Sequence, residues 1–187
     1  GGGTAGHVEP ALAVGKWIAK NHPDVELVFL GTDQGLEAHL VPSAGFTLVT
    51  IPKSPLPRRI NVKLLLWPVK FFSTLLRTWR ILDGVDLVIG FGGYVSSPAY
   101  LIAKLRGIRM IAHEANALPG ISTKLARKLG AEIYTLYPLG FGEQSALPVM
   151  GDFVNTRIGI TEVANRFGLD QSRPTILVLG GSLGAIR

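Results

Sequence analysis

The sequence of 187 residues contains no cysteine, which excludes disulfides and thiolate metal sites. That absence suits a cytosolic protein without demanding one. No run of about 18 uncharged apolar residues occurs either, so an ordinary transmembrane helix is excluded. Acidic residues are scarce over one long stretch: none lies between Glu37 and Asp83. Lys53, Arg58, Arg59, Lys63, Lys70, Arg77 and Arg80 all fall there, and together they exceed the whole net charge of +6. They are interleaved with Leu64, Leu65, Leu66, Trp67, Phe71, Phe72, Leu75, Leu76 and Trp79. Basic residues mixed with leucine and aromatics make a surface suited to anionic lipid headgroups. A nucleic-acid interface fits poorly, because no recognised binding module accompanies the charge.

What the chain does have is glycine, 23 residues of it, concentrated in three turns. They are Gly1-Gly2-Gly3-Thr4-Ala5-Gly6-His7, Gly90-Phe91-Gly92-Gly93-Tyr94-Val95-Ser96 and Gly180-Gly181-Ser182-Leu183-Gly184-Ala185. Each stands where a strand should pass into a helix. Bare glycine amides and the positive end of a helix dipole together suit an anion, usually a phosphate. The first turn opens at residue 1 and the third ends near Arg187, so the sequence reads as cut at both ends.

Apolar runs at Val25–Leu30, Phe46–Ile51, Val85–Ile89, Ile108–Ala112, Ile133–Leu136 and Thr175–Leu179 read as strands. Being continuous rather than alternating, they predict burial on both faces of a parallel sheet. Helices are predicted at Val8–Lys20, Gln34–Val41, Leu64–Leu82, Ser97–Leu105 and Ile121–Leu129, with a short one at Thr161–Leu169. Pro138–Pro148 reads as loop. This alternation indicates an α/β fold with a doubly wound parallel sheet whose first strand is missing. Residues 1–150 are expected to form one domain, 151–174 a linker, and 175–187 the start of a second domain.

In the Leu64–Leu82 helix, Leu65, Val69, Phe72, Leu76 and Trp79 share one face, expected to pack on the sheet. Leu64, Trp67 and Phe71, flanked by Lys63 and Lys70, are then expected to face a membrane. The alternative is that both faces are buried in a thick core, with Pro68 kinking the helix or marking its first turn.

The chemistry concentrates at two places. His7 follows the first turn directly, where an imidazole can take a proton from an attacking hydroxyl near neutral pH. His113-Glu114-Ala115-Asn116 follows a predicted strand and should emerge at the carboxyl edge of the sheet, where open α/β sheets bind ligands. Asn116 offers a donor and an acceptor to sugar hydroxyls. Glu114 either orients an imidazole or ties the loop to its own backbone. A nicotinamide site is disfavoured, since the first turn lacks the G-x-G-x-x-G spacing and the following acid that holds a ribose.

These residues resemble the MurG family of bacterial peptidoglycan glycosyltransferases. Gly2-Gly3-Thr4-Ala5-Gly6-His7-Val8-Glu9-Pro10-Ala11-Leu12-Ala13 is similar to its opening G-G-T-G-G-H-x-x-P-A-L-A. Gly31-Thr32 with Glu37 and Leu40-Val41-Pro42 resembles its G-T…E…L-V-P stretch, and Gly92-Gly93-Tyr94-Val95-Ser96 its second glycine turn. His113-Glu114-Ala115-Asn116 resembles its H-E-Q-N, and Gly180 to Ala185 its G-G-S-Q-G-A. The resemblance spans essentially the whole chain.

It implies a GT-B architecture, two Rossmann-like domains across a cleft, and transfer of N-acetylglucosamine from UDP-GlcNAc to an undecaprenyl-diphosphate-linked muramoyl sugar. It further implies that Thr4, Ala5, Gly6, Asn116 and Ser182 touch the donor or its diphosphate, that Tyr94 lines the acceptor side, and that His7 is the base. The implied place of work is the cytoplasmic face of the plasma membrane, as a peripheral protein. The sequence departs from the family at Ala5, Ala115 and Leu183, and Asn155 stands where the family has arginine, with Arg157 two residues on. No D-x-D pair is present to hold a divalent ion against a diphosphate, so neither metal nor other cofactor is expected.

Overall fold

The computed structural model describes residues 2–54, 62–148 and 158–176, with side chains from Trp67 onward in the helix that begins at Val62. In chain order the elements are α1 (Ala5–Asn21), β1 (Val28–Gly31), α2 (Glu37–Ser43), β2 (Thr47–Thr50), α3 (Val62–Ile81), β3 (Leu87–Gly90), α4 (Ser96–Arg106), β4 (Arg109–Glu114), α5 (Ile121–Leu129), β5 (Glu132–Thr135), β6 (Glu143–Gln144) and α6 (Ile160–Phe167). The expected elements of residues 2–148 are all present with ends shifted by a few residues. β6 is additional, in the passage read as loop. The strand expected at Thr175–Leu179 and the third glycine turn, Ser182 included, lie almost wholly outside the described residues.

Among the described residues all strand pairs are parallel, in two groups: β1–β2, and β3–β4–β5–β6. A Rossmann sheet ordered 3-2-1-4-5-6 gives this arrangement when its central first strand is removed. Residues of β4 divide between two faces, as a strand requires. Met110 and Ala112 pack with Tyr100, Ile102, Ala103 and Ala126 of α4 and α5. Ile111 and His113 line a cavity on the other face, of about 310 Å³, together with Ile89, Tyr134 and Val14 of α1. Helices on both faces make the sheet doubly wound.

Burial on both strand faces is met only in β4. β1, β2 and β3 each begin exposed and are mostly half-buried. Among the described residues β1 and β3 share no strand pairing, and Ile89 of β3 borders the open cavity.

Glycine ends the helices in a repeated way. Gly107 and Gly130 adopt φ of +70° and +89°, and the next residues, Ile108 and Ala131, donate back to the carbonyls of Ala103 and Ala126. This closes each helix and turns the chain directly into β4 or β5.

The orientation of α3 reverses the sequence expectation. Val69, Phe72, Leu76 and Trp79 are 71%, 61%, 51% and 41% exposed, while Thr74, Thr78 and Leu82 are buried. Trp67, expected to face outward, instead stacks on Phe71 at 4.7 Å and donates from Nε1 to the Ser54 carbonyl at 3.2 Å. Threonine can face inward here because its hydroxyl is satisfied by its own helix: Thr78 donates to the Thr74 carbonyl at 2.8 Å and Thr74 to that of Lys70 at 3.0 Å. The bulky apolar face is left to solvent. α3 runs on through Pro68, which lies well past its first turn.

Candidate active site

The first and second glycine turns meet at the carboxyl ends of the strands. Thr4, in extended backbone, precedes α1, and its carbonyl accepts from the amides of His7 and Val8 at 3.1 and 3.2 Å. As the first helical residues, Ala5 and Gly6 keep amides without an intrahelical partner. Gly92 and Gly93 lie opposite at φ of +91° and +81°. A Cβ on Gly92 would stand 3.0 Å from His7 Nε2, and one on Gly93 would stand 2.6 Å from the Gly2 carbonyl oxygen. Only glycine allows both that backbone and that closeness.

His7 is half-buried between the two turns. Its Nδ1 lies 3.3 Å from the Gly2 carbonyl and 3.2 Å from Thr4 Oγ1. A carbonyl only accepts, so the first contact assigns the proton to Nδ1 and leaves the Nε2 lone pair toward Gly92. Burial lowers the affinity of the ring for a second proton below its ordinary value of 6.5, while the Gly2 contact and the Glu114 and Glu37 charges act the other way.

The remaining sequence-predicted residues fall as follows. The Tyr94 hydroxyl donates to Thr32 Oγ1 at 3.4 Å, beside the first turn. Asn116 is exposed, and its Nδ2 donates to Glu114 Oε1 at 2.7 Å, which leaves its carbonyl oxygen to accept from a ligand. Glu114 resolves to the loop-tying role: besides Asn116 Nδ2 it accepts from the amides of Asn116 and Gly120 and from Thr123 Oγ1. His113 does not emerge at the edge. It is buried on the sheet face, 6.1 Å from the Phe91 ring and with Nε2 unpartnered among the described residues, because β4 runs on through Glu114.

Sequence reasoning assigns no role to Glu37. It is 1% exposed, and its carboxylate accepts from the Gly3 amide at 2.9 Å, the Thr32 amide at 3.0 Å and Thr32 Oγ1 at 2.9 Å. The signal available was an acid just after Gly31-Thr32 and Gly35, where small residues leave room for it.

Burial alone would raise the proton affinity of Glu37 and Glu114. The hydrogen bonds outweigh it, and both fall below their ordinary value of 4.5. A depressed carboxylate contributes stability that is present above its unfolded value and lost as pH falls through its folded one. The melting temperature should therefore hold near neutrality and fall below about pH 4.5. Glu114→Gln should flatten that acid limb. A melting temperature constant down to pH 3 would contradict the assignment.

Glycine turns at the ends of parallel strands, a helix N-terminus with free amides and an adjoining imidazole define a Rossmann-like α/β protein with a candidate anion-binding site. The model of the glycosyltransferase family 28 N-terminal domain matches residues 1–135, and the chain belongs to that family. Over 99% of its length it is 45% identical to the UDP-N-acetylglucosamine--N-acetylmuramyl-(pentapeptide) pyrophosphoryl-undecaprenol N-acetylglucosamine transferase of Frankia casuarinae, and 41% identical to that of Thermobifida fusca. The chain spans about half the length of these relatives, 51% in each. The crystal structure of Acinetobacter baumannii MurG superposes with a TM-score of 0.64 at 30% identity, over 79% of this chain and 42% of that one.

Proposed function

We propose that the chain is the acceptor-side half of an inverting glycosyltransferase. It would move N-acetylglucosamine from UDP-GlcNAc to the C4 hydroxyl of the muramoyl sugar on undecaprenyl diphosphate, converting lipid I to lipid II. The carrying observation is the His7 ring set between the two glycine turns, with Nδ1 at the Gly2 carbonyl and Nε2 toward Gly92. Nε2 takes the proton from the acceptor hydroxyl as its oxygen bonds to the anomeric carbon. The bond from that carbon to the diphosphate breaks, and the electron pair leaves with UDP. Charge growing on the diphosphate is met by the Ala5 and Gly6 amides and the α1 dipole. Thr4 orients the imidazole, the Asn116 carbonyl oxygen accepts from a sugar hydroxyl, and Tyr94 lines the acceptor side. Ser182 belongs to the donor side of the same reading.

Residues 1–150 form the acceptor domain in this proposal, 151–174 the linker, and 175–187 the opening of the donor domain. The protein works at the cytoplasmic face of the membrane. Among the described residues no helix is long and apolar enough to cross a bilayer. The exposed stripe of α3 with Lys70, Arg77 and Arg80 beside it supports attachment to an anionic lipid surface.

Radiolabelled UDP-GlcNAc supplied to the full-length protein should label lipid I and release UDP, with turnover unchanged by EDTA. Labelling of a diacylglycerol acceptor instead would reassign the substrate. Failure to label any lipid acceptor would remove the enzymatic reading, and loss of turnover with EDTA would remove the metal-free mechanism.

A further inference from the structure

We infer that Glu37 is a positioning residue for this transfer, its carboxylate locking the first glycine turn and, through Thr32, the Tyr94 hydroxyl into one frame. The inference rests on the function proposed above and adds a residue to its machinery. Glu37 begins α2, yet its three protein tethers lie elsewhere: the Gly3 amide at 2.9 Å, the Thr32 amide at 3.0 Å and Thr32 Oγ1 at 2.9 Å. Thr32 Oγ1 in turn accepts from the Tyr94 hydroxyl at 3.4 Å. A single buried carboxylate thus connects the turn that carries Thr4 and His7 with the turn that carries Tyr94.

The space around it belongs to glycines from three segments. A Cβ on Gly2 would stand 2.6 Å from Oε1, and one on Gly31 would stand 2.6 Å from Cγ. One on Gly35 would overlap the carboxylate itself. The ion pairs formed among the described residues, Arg106–Asp83, Arg109–Glu132 and Arg173–Asp170, leave Glu37 without a cation. The buried charge is balanced by aimed N–H and O–H donors, the arrangement that fixes direction most strictly.

The purpose follows from the anion site. A turn that offers the amides of Ala5 and Gly6 to a diphosphate must be anchored behind, or it would pivot as the ligand's charge departs. The Gly3 amide, pointing backward onto Glu37, is that anchor. Gln in place of Glu keeps the shape but supplies one acceptor oxygen where two are used, so one tether is lost.

The test uses the full-length protein. Glu37→Gln should lower kcat at least tenfold with KM for UDP-GlcNAc within twofold, and Glu37→Asp should exceed Glu37→Gln in kcat. In amide NMR spectra the Gly3 and Thr32 protons, bonded to a carboxylate, should lie downfield and move upfield in Glu37→Gln. Thr32→Val, which keeps the Gly3 tether but removes the Oγ1 bonds to both Glu37 and Tyr94, should lose at least as much kcat as Tyr94→Phe, and adding Tyr94→Phe to it should cause no further loss. Glu37→Gln with wild-type kcat, or fully multiplicative losses in the Thr32 and Tyr94 pair, would overturn the inference and leave the function standing. Wild-type protein that transfers nothing would overturn both.

Discussion

Replacing His7 by alanine is expected to lower kcat in the full-length protein by about 10²-fold or more, with KM for the nucleotide sugar little changed. General-base catalysis is worth roughly 10²–10⁴-fold when the base lies within reach of the proton it removes. The geometry meets that condition on the side of the protein. The Gly2 carbonyl 3.3 Å from Nδ1 fixes the tautomer, and the absence of a Cβ at Gly92 spares Nε2 a contact of 3.0 Å. In the proposed mechanism donor binding rests on other groups, so the loss should appear in kcat. The base must be neutral to act, and burial keeps the imidazole neutral to lower pH than 6.5. The acid limb of kcat should therefore fall below that value and should vanish in His7→Ala, whose residual turnover follows other groups. Near-normal turnover in the variant would remove His7 from the mechanism.

The second large effect concerns the membrane. Phe72→Glu with Leu76→Glu should reduce partition onto acidic vesicles by at least about 10²-fold, since burying each such side chain contributes roughly 1.5–3 kcal/mol. Both side chains are more than half exposed, so the pair should leave folding intact. Lys70→Ala, Arg77→Ala and Arg80→Ala should act differently, each removing roughly 1 kcal/mol of attraction to anionic lipid and narrowing the preference for acidic over neutral vesicles. Co-sedimentation measures both effects. Equal binding by wild type and the Glu pair would disprove the docking role of α3. Equal partition of wild type onto neutral and acidic vesicles would remove its electrostatic part.

Trp79 shows how charge and apolar surface combine on this face. Its ring carries the Arg106 guanidinium at 4.3 Å, and Arg106 also pairs with Asp83 at 2.8 Å. The end of α3 is thereby held against α4, with the stripe turned outward.

Much of this was legible in the chain. Alternating apolar runs and helical stretches located the elements, because strand and helix periods are local properties of sequence. The placement of His7 beside the glycine turns was readable because it directly follows the first of them. What the chain could not give is direction. A helical wheel shows that Val69, Phe72, Leu76 and Trp79 share a face, but not which way that face turns. Thr74 and Thr78 won the inward side because hydroxyls bonded to their own helix can be buried at little cost, and that depends on a neighbouring element to pack against.

The two buried glutamates mark the same boundary. Sequence alone determined that acids stand at positions 37 and 114, shortly after predicted strands. Only the tertiary structure decided that Glu37 collects donors from Gly3 and Thr32, while Glu114 spends its oxygens on its own loop. The reason is physical: an ionised carboxylate can leave water only where several donors converge, and for Glu37 they converge from segments the fold alone brings together.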